Sequence, residues 1–340
     1  MRYSAGVILI LGLVLAGCGA RLQESGPHGD QNLTPALNEN VFTTRDGTTL
    51  PVRYFGGKEK PVAVILALHG FNDYSRGFED AGKALAEKNI AVYAYDQRGF
   101  GATKQRGIWA GSDRLADDAI AFAATLRALY PGTPLYLMGH SMGGAVTILA
   151  ATHDQPKLDV AKLNVDGVIL VAPAIWGGAA ISGFERGTLD TATYMMPWLP
   201  VGPPHDRHRL ATDNMDALRE MSADPLVIKV NRLDAVQGLV ALMDQAVAAS
   251  PKLQTPSLIL FGSEEQVLPQ GPVRSFLNSL PAASAASRQV ALYPKGYHML
   301  LRDKAADVVI QDIAAWIKNP NQPLPSGADA RAKAAFTGKN

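Results

Sequence analysis

Gly139-His140-Ser141-Met142-Gly143 sets a serine between two glycines where an apolar strand gives way to a helical pattern. In that context the spacing suits a nucleophile: a sharp strand-to-helix turn holds Ser141 in a strained backbone conformation and aims its hydroxyl out of the sheet edge. Gly139 and Gly143 would let neighbouring backbone pass without a Cβ clash, and Gly144 and Ala145 would let the helix pack close to the sheet. A serine hydroxyl attacks a carbonyl carbon only when a base removes its proton, and the base is expected late in the chain, beyond the last strand. His298 lies there, in Tyr293-Pro-Lys-Gly-Tyr-His-Met-Leu. Two carboxylates, Glu264 and Glu265, follow Leu258-Ile-Leu-Phe-Gly262. Both are candidates for the acid that orients the imidazole and stabilises its charged form without taking the proton. Glu265 is preferred because it falls three residues after Gly262 and two before Val267; Glu264 then reads as a solvated loop carboxylate. The oxyanion of acyl transfer needs two preorganised N–H donors. The Met142 N–H, at the positive end of a helix, is one, and the Phe71 N–H, after His69-Gly70, is the natural second. His69 is expected to brace that loop.

These groups come from distant stretches, and the hydrophobic pattern describes what must gather them. Val41–Phe55 reads as two short strands about the turn signal Asp46-Gly47. Pro61–Leu68 and Ile90–Tyr95 contain continuous apolar runs, as strands covered on both faces should. Leu115, Ala119, Phe122, Leu126 and Leu129 mark a helix face that Pro131-Gly132 ends. Further strands read over Leu135–Met138, Val165–Ala172, Leu258–Phe261 and Arg288–Tyr293, with helices over Met142–Ala151 and Asp303–Ile317. Such alternation predicts an α/β architecture, a mainly parallel sheet with right-handed crossovers. Residues 175–250 break the rhythm and read as an insertion holding Trp176, Met195, Met196, Trp198, Met215, Met221 and Met243. Those side chains would either line an adaptable apolar tunnel or pack the insertion's own core.

At this point the chain resembles the α/β-hydrolase superfamily, and within it the monoglyceride lipase and lysophospholipase family. The matching pieces are Leu68-His-Gly-Phe71, Tyr95-Asp-Gln-Arg-Gly-Phe-Gly101, Gly139-His-Ser-Met-Gly-Gly144 and Tyr297-His-Met-Leu-Leu-Arg-Asp303, with Asp224-Pro-Leu, Gly238-Leu and Met243-Asp-Gln-Ala in the insertion. The resemblance implies an eight-stranded, mainly parallel sheet flanked by helices, with a helical cap inserted after the sixth strand. It supports Ser141 as nucleophile, His298 as base and the Phe71 and Met142 amides as the oxyanion hole. It departs at the acid, where the family usually carries Asp and this chain has Glu265. Asp96 and Arg98 hold loops in that family and are expected to be structural here. The implied activity is hydrolysis of carboxylic esters of lipid-like substrates, monoacylglycerol or lysophospholipid, through an acyl-enzyme on serine. A short-chain carboxylesterase or thioesterase, or a non-catalytic acyl-binding lipoprotein, is the alternative; no cofactor and no metal is implied.

Composition bounds the rest. Lys plus Arg is 32 against Asp plus Glu 31, a formal charge of +1, without the basic excess a nucleic-acid partner would need. Hydrophobic residues at 47% and charged residues at 19% of 340 fit a globular chain. The single cysteine excludes an internal disulfide framework and any cysteine-cluster metal site, while seven histidines leave a histidine site open on count alone. That cysteine, Cys18, follows Arg2, an apolar run from Ala5 to Ala16, and Leu15-Ala16-Gly17, which resembles the lipobox of bacterial lipoproteins. The resemblance implies removal of residues 1–17, acylation of Cys18 and a lipid-anchored place in the bacterial cell envelope; Gly19 points to the outer membrane. More than one acyl chain gives stable attachment, at ~0.8 kcal/mol per buried methylene. Residues 18–40 then read as a tether, 41–318 as the hydrolase domain and 319–340 as a disordered tail. A small lipid or ester substrate and the membrane are the expected partners, with the oligomeric state open.

Overall fold

The computed structural model describes residues 20–29, 33–153, 163–176, 183–202 and 209–337. In chain order its strands are β1 (Ala36–Asn38), β2 (Val41–Thr43), β3 (Thr49–Phe55), β4 (Ala63–Leu68), β5 (Ile90–Tyr95), β6 (Leu135–His140), β7 (Gly167–Val171), β8 (Pro200–Val201), β9 (Asn231–Arg232), β10 (Ser257–Gly262) and β11 (Arg288–Tyr293). The helices are α1 (Glu79–Ala86), α2 (Ser112–Leu129), α3 (Met142–Thr152), α4 (Gly183–Met195), α5 (Met215–Ala223), α6 (Leu233–Ala249), α7 (Gln270–Ser279), α8 (Ala306–Lys318) and α9 (Ala328–Thr337). The large sheet runs β1-β2-β3-β5-β4-β6-β7-β10-β11. Its first three strands are antiparallel to their neighbours, and β5 through β11 in that order pair in parallel.

The continuous apolar runs are explained by two cores, one on each face. On β4, Val64, Leu66 and Leu68 point into a layer shared with α2, α3 and α6, while Ala63, Ile65 and Ala67 point into one shared with α1 and α8. A strand buried on both sides has no polar face to alternate with. Parallel pairing through the middle of the sheet brings the C-terminal ends of β4, β6, β10 and β11 to one edge, where ligands bind in open α/β sheets.

Three expectations need correction. The sheet has nine strands, not eight, because Ala36–Asn38, expected within the tether, pairs along β2. The insertion therefore follows the seventh strand; it carries the two-residue β8–β9 ladder besides its helices. It is also smaller than 175–250, since α6 buries Leu242 and Ala246 in the same core as α3. Finally, of the disordered tail expected over 319–340, the described part, 319–337, is folded: Leu324, Ala328 and Ala332 are buried and α9 packs on β11. Alanines spaced four apart supply that helix's inner face, a pattern that reads as composition because alanine carries little apolar signal. Among the described residues no helix is long and apolar enough to cross a membrane. Residues 1–19, and with them Cys18, lie outside the described residues.

Candidate active site

Ser141 stands between β6 and α3 with φ 51° and ψ −115°, a left-handed conformation that costs a non-glycine residue of order 1–3 kcal/mol. Its surroundings hold it there. The Ser141 N–H donates to the Val171 carbonyl at 3.0 Å, and its own carbonyl accepts from Gly144 at 2.9 Å and Ala174 at 2.9 Å. The flanking glycines are required by contact: a Cβ on Gly139 would lie 2.2 Å from the Gly143 carbonyl oxygen, and one on Gly143 would lie 2.1 Å from that of Leu68. Gly144 packs similarly, with Pro173 Cα 2.8 Å from where its Cβ would be.

The loop after β4 comes up against this turn. A Cβ on Gly70 would lie 3.3 Å from the Ser141 Cβ. His69 is fully buried; its Nε2 accepts from the Gln97 N–H at 3.0 Å, so its Nδ1 carries the proton donated to the Gly70 carbonyl at 2.8 Å. Burial pushes the His69 pKa down, which keeps the ring in that neutral tautomer. It is a brace. The next residue, Phe71, sets its ring edge-on to Phe100 at 5.6 Å and against Trp109 at 6.5 Å. The N–H groups of Phe71 and Met142 have no acceptor among the described residues, the condition for donors held ready for an incoming oxygen.

Of the two carboxylates, Glu265 is the one that meets the histidine. His298 Nδ1 lies 2.7 Å from Glu265 Oε2, with both side chains buried. The other oxygen, Oε1, accepts from the Val267 N–H at 2.6 Å and the Leu268 N–H at 3.0 Å. Burial raises the Glu265 pKa, but the His298 hydrogen bond and charge, with the two amides, outweigh it and hold the carboxyl below its ordinary value. Glu264 is exposed; its side chain accepts from Ser263 Oγ and its N–H donates to the Gly296 carbonyl. The loops after β10 and β11 pack closely: a Cβ on Gly262 would lie 2.1 Å from the Gly296 oxygen.

Sequence reasoning missed what joins the serine and histidine loops. His140, the residue before Ser141, donates from Nε2 to the His298 carbonyl at 3.1 Å, and the two rings lie 5.1 Å apart. Burial, then the His298 charge, holds its pKa down to about 3, so it remains a neutral donor. A bond to a main-chain carbonyl 158 residues away leaves no trace in side-chain pattern. Asp96 and Arg98 are structural, as expected. Asp96 accepts from the N–H groups of Ser75 and Ala102, and Arg98 spans from Asp118 on α2 to Asp46, Thr44 and Thr48 about the β2–β3 turn.

The insertion is stapled to the same loops. The Leu210 N–H donates to Gln266 Oε1 at 2.9 Å, the Met299 N–H to the Ala211 carbonyl at 2.8 Å and the Ile228 N–H to the Asn72 carbonyl at 3.0 Å. Asp224 accepts from Tyr74 Oη at 2.7 Å and Arg76 Nη1 at 2.9 Å. Each bond lands one residue or a few from Glu265, His298 or Phe71. The apolar side chains expected in a tunnel or a cap core divide. Met243 is buried and Trp176 half-buried, whereas Met195, Met196, Trp198 and Met215 are exposed.

The family described as Hydrolase_4, serine aminopeptidase S33, matches residues 59–305. The chain is 24% identical over 301 residues to the human monoglyceride lipase, covering 87% of this chain and 95% of that one. It is 27% identical over 278 residues to a putative monoglyceride lipase of Schizosaccharomyces pombe, covering 78% and 70%. A solved structure of a soluble variant of the Saccharomyces cerevisiae monoglyceride lipase, in complex with a substrate analog, superposes with a TM-score of 0.68 at 18% identity, covering 87% of this chain and 99% of that one. The fold is that of the α/β-hydrolases.

Proposed function

The chain belongs to the Hydrolase_4, serine aminopeptidase S33 family, and from that membership we propose that it hydrolyses carboxylic esters of single-chain lipids, a monoacylglycerol or a lysophospholipid, through an acyl-enzyme on Ser141. The observation that carries this reading is the buried His298–Glu265 pair beside the Ser141 turn, with the Phe71 and Met142 N–H groups unpartnered. Ser141 Oγ attacks the ester carbonyl carbon while His298 Nε2 takes its proton. The carbonyl oxygen gains the negative charge and accepts from the Phe71 and Met142 N–H groups; one such donor is worth about 10²–10³ in rate. Collapse expels the alcohol, which leaves with the proton from His298. A water then gives a proton to His298 as it attacks the acyl carbon; collapse breaks the bond to Ser141 Oγ, which takes the proton back from His298, and the fatty acid is released. Glu265 stays ionised throughout and holds Nδ1–H, which fixes the imidazole's orientation and offsets its charge.

The lipid choice is supported by the monoglyceride lipase relatives. The exposure of Met195, Met196, Trp198 and Met215 favours a second reading, a general short-chain carboxylesterase, since these side chains are turned outward instead of lining an acyl tunnel. A series of glycerol and choline-phosphate esters differing only in acyl length separates the two. Rising kcat/KM from acetyl to medium and long chains is expected; a maximum at acetyl, or faster cleavage of aminoacyl amides, overturns the lipid reading. Ser141→Ala should lower kcat on the order of 10⁶-fold and abolish labelling by a fluorophosphonate. The reading includes acylation of Cys18 and attachment to the envelope membrane, which would bring the enzyme to its substrate.

A further inference from the structure

The residues just after Cys18 are not a slack tether. Arg21 donates its backbone N–H to Asp234 Oδ2 at 3.0 Å, and Asp234 is a buried carboxylate in the first turn of α6. Leu22 bridges to Trp109, and the Gln23 N–H donates to the Trp109 carbonyl at 2.9 Å. The Gln23 side chain is buried and donates to the Ile108 carbonyl at 3.0 Å, while Arg114 Nη1 donates to the Gln23 carbonyl at 2.9 Å. Arg21–Gln23 is therefore fixed to the main chain of Trp109, the residue whose ring lies against both Phe71 and α6 at Gly238.

The fastening point matters because of what lies beside it. The Asp234 N–H donates to the Pro197 carbonyl at 3.1 Å, and the Leu233 N–H to the Leu199 carbonyl at 2.9 Å. Asp234 thus holds the strap on one side and the turn after α4 on the other. That turn and the end of α4 carry an exposed apolar cluster: Tyr194 is 61% exposed, Met195 59%, Met196 43%, Trp198 53% and Leu199 38%. Five exposed apolar side chains within six residues form the kind of surface through which proteins meet membranes or partners. Cys18 is three residues before Arg21, a span of at most about 10 Å.

We propose that Arg21–Gln23 is a strap that brings the acylated Cys18 to the base of the cap, so that the exposed 194–199 turn is seated in the lipid bilayer with the active-site side turned to the membrane. The inference rests on the acylation proposed above, and its occupant is a lipid surface. A long free tether would let the domain tumble; a short one fastened beside the 194–199 turn keeps that turn near the acyl region.

The test uses the full chain recovered from membranes after growth with radiolabelled palmitate and reconstituted in phosphatidylglycerol–phosphatidylethanolamine vesicles containing brominated acyl chains. Trp198 is the exposed member of the four tryptophans, and Trp198→Phe supplies the reference. Most of the Trp198 emission should be lost to bromine. A ten-residue Gly-Ser insertion between Ala20 and Arg21 leaves the strap docked but lengthens the reach of the anchor. It should restore that emission and lower turnover of monoacylglycerol in vesicles, with hydrolysis of a soluble short-chain ester unchanged. Label present with Trp198 unquenched, or quenching that the insertion does not relieve, overturns the strap. Absence of palmitate label overturns the acylation and the strap with it, whereas activity on soluble ester reads the hydrolase proposal separately.

Discussion

Glu265 and Glu264 differ by one position, and everything about their environments differs. One has its two oxygens filled by His298 and two backbone amides with its side chain buried, and the other reaches solvent. Glu265→Gln should therefore leave the fold intact and lower kcat on the order of 10⁴-fold, as expected when the imidazole loses its orienting charge, while Glu264→Gln should stay near wild type. Equal losses, or the larger loss at Glu264, would reassign the acid. Spacing alone was enough to favour Glu265 here, because strand ends and the loops after them are counted in residues. Spacing could not reveal His140, whose side chain meets a peptide carbonyl and no other side chain.

Among the elements, the Arg98 staple shows how loops are held without touching the reacting atoms. Its guanidinium joins α2 to the β2–β3 turn through Asp118 and Asp46. Burial raises the Asp46 pKa, but the Arg98 and Thr44 hydrogen bonds and the Arg98 charge lower it further, so the net shift is downward. A depressed folded value means stability that is complete above the unfolded value of ~3.9 and lost as pH falls through the folded one. Asp46→Asn should cost about 3 kcal/mol. In urea unfolding, that cost should be constant from neutral pH to about pH 4 and shrink below; a cost that already fades at pH 6 would contradict it. The last helix makes the complementary point. Leu324→Ala should cost about 2–5 kcal/mol in the same assay, since Leu324 is buried against the α1–α8 layer. A neutral result would return residues 319–337 to the status of a tail. The long strands and α2 were legible because their apolar runs are dense. The short β1 and the alanine face of α9 were not, because three residues and small side chains carry too little pattern.

For the whole molecule, what the segments toward the chain's ends do was the least legible, and the structure binds residues 21–23 and 319–337 into the fold. The N-terminal segment is fastened over Trp109 and Asp234, and the C-terminal helix lies along β11. Local polarity suggested slack in both cases, whereas contacts far along the chain decide the outcome: Gln23 with Ile108 and Arg21 with Asp234 at one end, and Arg331 with Leu292, 39 positions away, at the other. The order of the chain is nevertheless what makes the site: β4, β6, β10 and β11 end at one edge, and each delivers one part of the chemistry proposed.

The helix over β11 has a consequence for life in a crowded compartment. β11 is the last strand of its sheet, and an open edge offers unpaired peptide groups to any other chain. Arg331 Nε from α9 donates to the Leu292 carbonyl at 3.3 Å, and Gln289 Nε2 reaches the Gln322 carbonyl at 2.8 Å, so that edge is partly occupied from within. At the opposite edge β1 is only three residues long. Both rims of the sheet are thus poor templates for strand addition, and removal of α9 is expected to promote aggregation with Ser141, Glu265 and His298 still present in the chain.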